Sequence, residues 1–255
     1  MTVVPVLAYH SIGDEPRDGT LRWSVSPGDF GEQMALLRER GRTPLTVGRY
    51  AELLRGRLPL PPRPVVVTFD DGFADLATAA LPVLRRYDVC ATAYVITSRL
   101  GVRPALDRDE LAGLRDAGVE IGSHSDTHRP LDCLAQGTVR HEIAASRDRL
   151  QAYLGAAVTS FAYPYGYHSP AVRRAVIDAG YASACAVKNA LSHPGDDVFA
   201  IARVLVERGT GAAGIDQLLA GRGRPLSWRG ERLRTRGWRA YRRVRHTLDV
   251  VRGPR

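Results

Sequence analysis

Two adjacent carboxylates, Asp70 and Asp71, end an apolar run, Val65-Val66-Val67, and are followed by Gly72. This is how a buried strand delivers charged side chains to the end of a sheet. Like charges side by side repel, so the placement costs stability unless a cation or a proton transfer uses them. Asp-Gly is also a common turn pair, and a plain turn is the competing reading of Thr68-Phe69-Asp70-Asp71-Gly72. Further along, His124 and His128 are separated by three residues, which lets both imidazoles face one point on a helix or tight turn. Two unrelated surface histidines would show the same spacing. Joined by a carboxylate from another strand end, two His and one Asp leave a coordination position for water, which describes a hydrolytic metal site better than a closed structural one.

Strands must carry these residues, and helices must separate the strands. Val3 to Tyr9 is a short apolar strand that ends at His10, a site candidate whose alternative role is a structural hydrogen bond. Pro27 opens a helix with Phe30, Met34 and Leu37 on one face, stopped at Gly41, and Thr46 to Leu54 makes a second. After Gly72, a helix over 74–86, a strand over 90–96, a helix over 108–117 and a short strand over 119–122 follow. The helix 139–154, the strand 158–163, the helix 170–179 and the strand 181–187 complete the series. Such alternation predicts an α/β fold with a parallel sheet. The unusual polar residues fall just after strands, at His10, Asp70-Asp71, His124–His128 and Tyr163-Pro164-Tyr165, and in a parallel barrel those ends share one face.

The 255 residues are 44% hydrophobic, enough for a sizeable core. Their net charge of +9 is uneven: residues 221–255 hold 12 Arg against 2 acids, leaving 24 basic against 25 acidic residues in 1–220. Cys90, Cys133 and Cys185 stand far apart and odd in number, which argues against a disulfide framework and for a reducing compartment. The N-terminus lacks the basic start and long apolar core of a signal peptide, and no stretch reaches the roughly 20 apolar residues of a membrane span. The expected location is cytoplasmic, with membrane association through the tail.

TFDDG at 68–72, HSDTH at 124–128 and FAYPYG at 161–166 resemble, in order and spacing, three motifs of the polysaccharide deacetylases, the NodB-homology or carbohydrate esterase 4 family. VLAYHSI at 6–12 is similar to a branch of that family found in cell-surface polysaccharide synthesis. The resemblance covers about residues 3–207. It implies a distorted (β/α)7-type barrel over residues 1–220 that removes N-acetyl groups from amino sugars of a glycan. It also implies that Asp71, His124 and His128 bind a divalent metal, usually zinc, and that Asp70 is the catalytic base. An amide is a poor electrophile, so its carbonyl needs a Lewis acid while an unligated carboxylate accepts the proton of water.

Two departures stand out. The family's third motif is commonly Arg-x-Pro-Tyr, whereas this chain has Ala162-Tyr163-Pro164-Tyr165, so the arginine that orients the base is missing. Arg203, in an apolar-flanked segment, is the replacement candidate, with an ordinary surface Arg as the alternative. Tyr165 keeps its place, and its backbone N–H is implied to stabilise the oxyanion. Leu191-Ser192-His193 matches the family's Leu-x-His, whose histidine protonates the leaving amine, although a loop follows it. These departures leave a glycan-binding or scaffolding relative with little turnover as one alternative; the same motifs would also serve a deacylase of acetyl esters or small amino sugars.

In the tail, Trp228, Leu233, Trp238, Tyr241, Val244, Leu248 and Val251 recur mostly at three or four residues among arginines. That pattern fits a helix lying on an anionic membrane, or a solvated and partly disordered tail. No nucleic-acid-binding fold accompanies the charge.

Overall fold

The computed structural model describes residues 2–14, 21–228, 230, 237–238 and 241–242. Seven parallel strands close into a barrel: β1 (Val6–Tyr9), β5 (Pro64–Phe69), β6 (Thr92–Val95), β7 (Glu120–Ser123), β8 (Ser160–Ala162), β9 (Ser183–Val187) and β10 (Ile201–Leu205). Each pairs with the next in the order given, and β1 closes the ring by pairing with both β10 and β5. β4 (Thr43–Leu45) pairs with the start of β5, where β6 has not yet begun, and β2 (Ser11–Ile12) pairs with β3 (Ser24–Val25) outside the ring. The named α-helices among the described residues are α1 (Pro27–Glu39), α2 (Val47–Leu54), α3 (Leu81–Arg86), α4 (Arg108–Asp116), α5 (Gln136–Leu154), α6 (Pro170–Asp178) and α7 (Ala212–Leu219).

Local chemistry explains most of these boundaries. Ser26 caps α1 by accepting from Asp29 N with Pro27 at the first turn, and Thr46 caps α2 through Arg49 N. Asp107 and Glu110 form a capping box at α4, and Gly155 ends α5 in the left-handed conformation. The single helix expected over 74–86 is instead a wide turn, Leu76–Ala80, leading into α3. Pro82 has no N–H for the Thr78 carbonyl, and Leu81 N reaches back five residues to Leu76 O.

The barrel interior is filled by Val6, Val66, Tyr94, Ala162, Cys185 and Ile201, plugged at the strands' N-terminal end by Val4, Leu45, Val47 and Tyr50. Gly122 makes room for Tyr94: a Cβ there would lie 2.5 Å from the ring. A larger apolar layer, including Leu7, Val67, Phe69, Val139 and Ile143, joins strands to helices. Cys90, Cys133 and Cys185 form no disulfide with one another. Among the described residues no helix is long and apolar enough to cross a membrane. Of the amphipathic tail pattern, Leu233, Val244, Leu248 and Val251 lie outside the described residues, while the exposed Trp238 and Tyr241 rings stack at 5.2 Å.

Candidate active site

The C-terminal ends of β1, β5, β7 and β8 bring His10, Asp70, Asp71, His124, His128 and Tyr165 to one mouth of the barrel. β5 ends in a sharp turn, with Asp71 (φ 69°) and Gly72 (φ 68°) both left-handed. The turn reading of Asp-Gly therefore holds, and the turn aims Asp71 across the mouth toward His124 and His128. A side chain at position 72 would meet Val95 at 3.2 Å in a conformation that disfavours it, so glycine suits this place.

Asp71 Oδ1 lies 3.7 Å from His124 Nε2 and 3.5 Å from His128 Nε2. It is buried without a hydrogen-bond partner. One ligand atom from each of the three residues lies within 4.8 Å of the others, so together they could hold a metal ion. The spacing suits metal binding, because ligands about 2.0–2.1 Å from a tetrahedral ion are themselves separated by roughly 3.3 Å. His124 Nδ1 lies 2.8 Å from the Ala162 carbonyl oxygen, which only accepts, so Nδ1 carries a proton and Nε2 is the ring atom turned toward Asp71. Burial, and then the neighbouring His124, lower the His128 pKa to about 4 against the opposing pull of Asp71, so this imidazole is a neutral donor at pH 7.

HSDTH is a tightly held loop rather than a helix. Ser125 (φ 66°) and His128 (φ 60°) are left-handed, and Ser125 Oγ accepts from His128 N at 3.0 Å. Glu142 of α5 accepts from Thr127 N at 2.8 Å and from the Thr127 hydroxyl, while Asp126 accepts from Thr97 Oγ1 at 2.6 Å and pairs with Arg149. Motif reasoning missed these supports. One signal was present: Glu142 and Ser146 interrupt the buried stripe of Val139, Ile143 and Leu150. A carboxylate on such a face needs a partner.

Asp70 is clamped from inside the barrel. Arg203, fully buried on β10, donates from its two terminal nitrogens to Asp70 Oδ1 at 2.6 Å and Oδ2 at 2.8 Å, with a further bond to Thr68 Oγ1 at 3.1 Å. Burial by itself raises the Asp70 carboxyl, but the Arg203 charge, His124 and the hydrogen bonds from Arg203 outweigh it and hold the group well below the usual carboxylate range. Arg203 is equally bound: burial opposes its charge, and Asp70 more than compensates, raising its pKa. Asp70 Oδ2 also lies 3.8 Å from His124 Nε2, so both aspartates face the same imidazole.

Residues 57–184, half of the chain, match the Polysaccharide deacetylase family. The chain belongs to that family. It is an enzyme of the deacetylase class. The Streptococcus pyogenes deacetylase PplD, solved in complex with acetate, superposes with a TM-score of 0.79 at 21% identity, covering 86% of this chain and 98% of that one, and shares its fold. The Bacillus subtilis protein YxkH is 27% identical over 206 residues, which are 81% of this chain and 72% of YxkH. The poly-beta-1,6-N-acetyl-D-glucosamine N-deacetylase of Escherichia coli is 37% identical over 81 residues, which are 32% of this chain and 12% of that protein.

Within this deacetylase fold the other sequence candidates part company. Tyr165 is left-handed (φ 58°), and its exposed ring lies 4.7 Å from that of His128. His10 faces the cluster: its Nδ1 is buried without a partner, its ring packs 5.3 Å from Trp23, and burial lowers its pKa while Asp70 and Asp71 oppose that shift. His193 is not brought to this mouth. It follows Ser192, which pairs antiparallel with Val4 ahead of β1 and bonds Tyr50 of the plug, and its own contacts are Ser227 O and Gly195 N. His193 therefore sits by the end of β1 opposite to His10.

Proposed function

We propose that the protein removes N-acetyl groups from amino-sugar units of a glycan by metal-assisted hydrolysis. One observation carries this reading: a buried, unpartnered Asp71 oxygen between two imidazole nitrogens, beside a second carboxylate already engaged by an arginine. Asp71, His124 and His128 would hold the metal, with zinc favoured by a donor set of two nitrogens and one oxygen. A metal bound there supplies Lewis acidity for the acetyl carbonyl and lowers the pKa of water.

The chain's own groups do the rest. Asp70, kept ionised by Arg203, accepts a proton from the attacking water. Arg203 replaces the arginine missing from the third motif, entering from β10 instead of β8, and fixes the carboxylate plane by its two-point grip. The Tyr165 N–H steadies the developing oxyanion. His10, whose buried Nδ1 has no partner at this mouth, takes up a proton and delivers it to the leaving amine, the role that the Leu-x-His match offered to His193.

The test is acetate release from N-acetylglucosamine oligomers by the full chain, with zinc and after chelation, beside Asp70→Asn and His10→Ala. Zinc-dependent release that collapses in Asp70→Asn is expected. Equal release by wild type and Asp70→Asn, or none from any acetylated amino sugar, would sink the reading.

A further inference from the structure

Behind the Tyr165 loop lies a cavity of about 420 Å³ that none of the metal-ligand candidates lines. It sits against the outer-facing Ala186 of β9, between the start of α6, the loop after His128 and the segment at Trp228. Its charges come in matched pairs. Arg173 donates to both Asp197 oxygens at 3.1 and 3.0 Å, Arg242 grips both oxygens of Asp132, and Lys188 contacts Asp196 at 3.4 Å. Cations so neutralised weigh against a bare anion as the occupant.

His168 is different. Its ring stacks on Tyr163 at 4.5 Å, yet among the described residues neither nitrogen makes a hydrogen bond. A neutral imidazole offers one donor and one acceptor at once, which suits a hydroxyl better than an ion. Burial, and then the charges of Lys188 and Arg173, keep this imidazole neutral at pH 7. Tyr167, with the Arg242 guanidinium 3.8 Å from its centroid, and Trp228 add flat apolar surface. Aromatic walls beside a few convergent polar groups are the general form of a small-molecule site. A pyranose ring, with C–H faces and a rim of hydroxyls, meets both demands.

We infer that this cavity binds a sugar unit of the glycan that flanks the reacting one, with His168 bonding its hydroxyls and the aromatic walls taking its C–H face. The inference rests on the deacetylase reading above. The cavity adjoins the mouth through the Tyr165 loop: Gly166 lines the cavity, and the ring of the preceding Tyr165 lies 4.7 Å from that of His128.

The test compares kcat/KM for an N-acetylglucosamine pentamer with that for the dimer in wild type and in His168→Phe, which keeps a ring against Tyr163 and removes both nitrogens. The wild-type preference for the pentamer should shrink about threefold to tenfold, the worth of one or two hydrogen bonds. A purely structural effect lowers both rates together and leaves the ratio unchanged, which overturns the inference. Lys188, the chain's only lysine, provides a second readout that needs no turnover. The pentamer should protect it from an amine-reactive label, whereas protection by inorganic phosphate and not by the pentamer overturns the sugar assignment. If no acetate is released from either oligomer, the deacetylase reading fails while the label still reports on the cavity.

Discussion

The two ends of the barrel solve opposite problems. At the N-terminal end, Val4, Leu45, Val47 and Tyr50 close the interior, and the polar groups among them are tied together: Tyr50 bonds Ser192 at 2.9 Å, Ser192 bonds Asp196 at 2.8 Å, and Asp196 accepts from Ala202 N at 3.0 Å. At the C-terminal end, His10 Nδ1 and Asp71 Oδ1 are buried without partners, and Asp71, Ser125, His128 and Tyr165 all hold left-handed backbone. Each such residue costs roughly 1–3 kcal/mol, so the strain is concentrated where groups are aimed at a ligand. The plug's own polar side chains are paired with one another while those of the mouth are turned to a ligand, although the Ser160 and Ser183 hydroxyls at the closed end also lack partners.

Substitutions can separate these roles. The largest effect is expected from Asp70→Asn, which removes the proton acceptor and should cut kcat by about 10²–10⁴-fold in acetate release. Arg203→Met should follow. It leaves Asp70 buried and unpaired, so the fold should lose about 3–5 kcal/mol in urea denaturation, and activity should fall with the loss of the clamp. An Arg203→Met protein of wild-type stability would show that the pair is not held as described.

A smaller effect belongs to pH. The folded His168 has a pKa of about 4 against an ordinary 6.5, so between those values the unfolded chain binds a proton that the folded chain refuses. Stability from this group is complete above pH 6.5 and is lost as pH falls toward 4, by at most about 3 kcal/mol. His168→Phe should flatten that part of the stability–pH curve. At the closed end, Tyr50→Phe should cost only about 0.5–1.5 kcal/mol and leave kcat unchanged. A marked loss of turnover in that variant would erase the distinction between the ends.

Much of the active mouth was legible from residue types. Two carboxylates after a buried strand and two histidines three residues apart announced themselves because charge beside an apolar run is conspicuous. Arg203 was harder. It shares the inner face of β10 with Ile201, and an arginine there interrupts the apolar pattern by which strands are recognised. Only the partner, 133 residues away, makes its burial intelligible. β4, with Pro44 at its centre, was similarly obscure, since its pairing with β5 comes from the sheet and not from propensity. The histidine of Leu-x-His shows the reverse error, in which three matching letters carry no information about the end of the barrel they occupy.

Short windows of sequence suffice for the alternation of strands and helices, the turn at Asp71-Gly72 and the identity of the three candidate metal ligands. These depend on periodicity, on local backbone preference and on residue chemistry. The folded chain was needed to see that Arg203 clamps Asp70, that His10 and not His193 faces the site, and that Glu142 supports Thr127. Each of those facts is a contact between distant segments, set by how the closed ring of strands directs its side chains, and no local pattern encodes it.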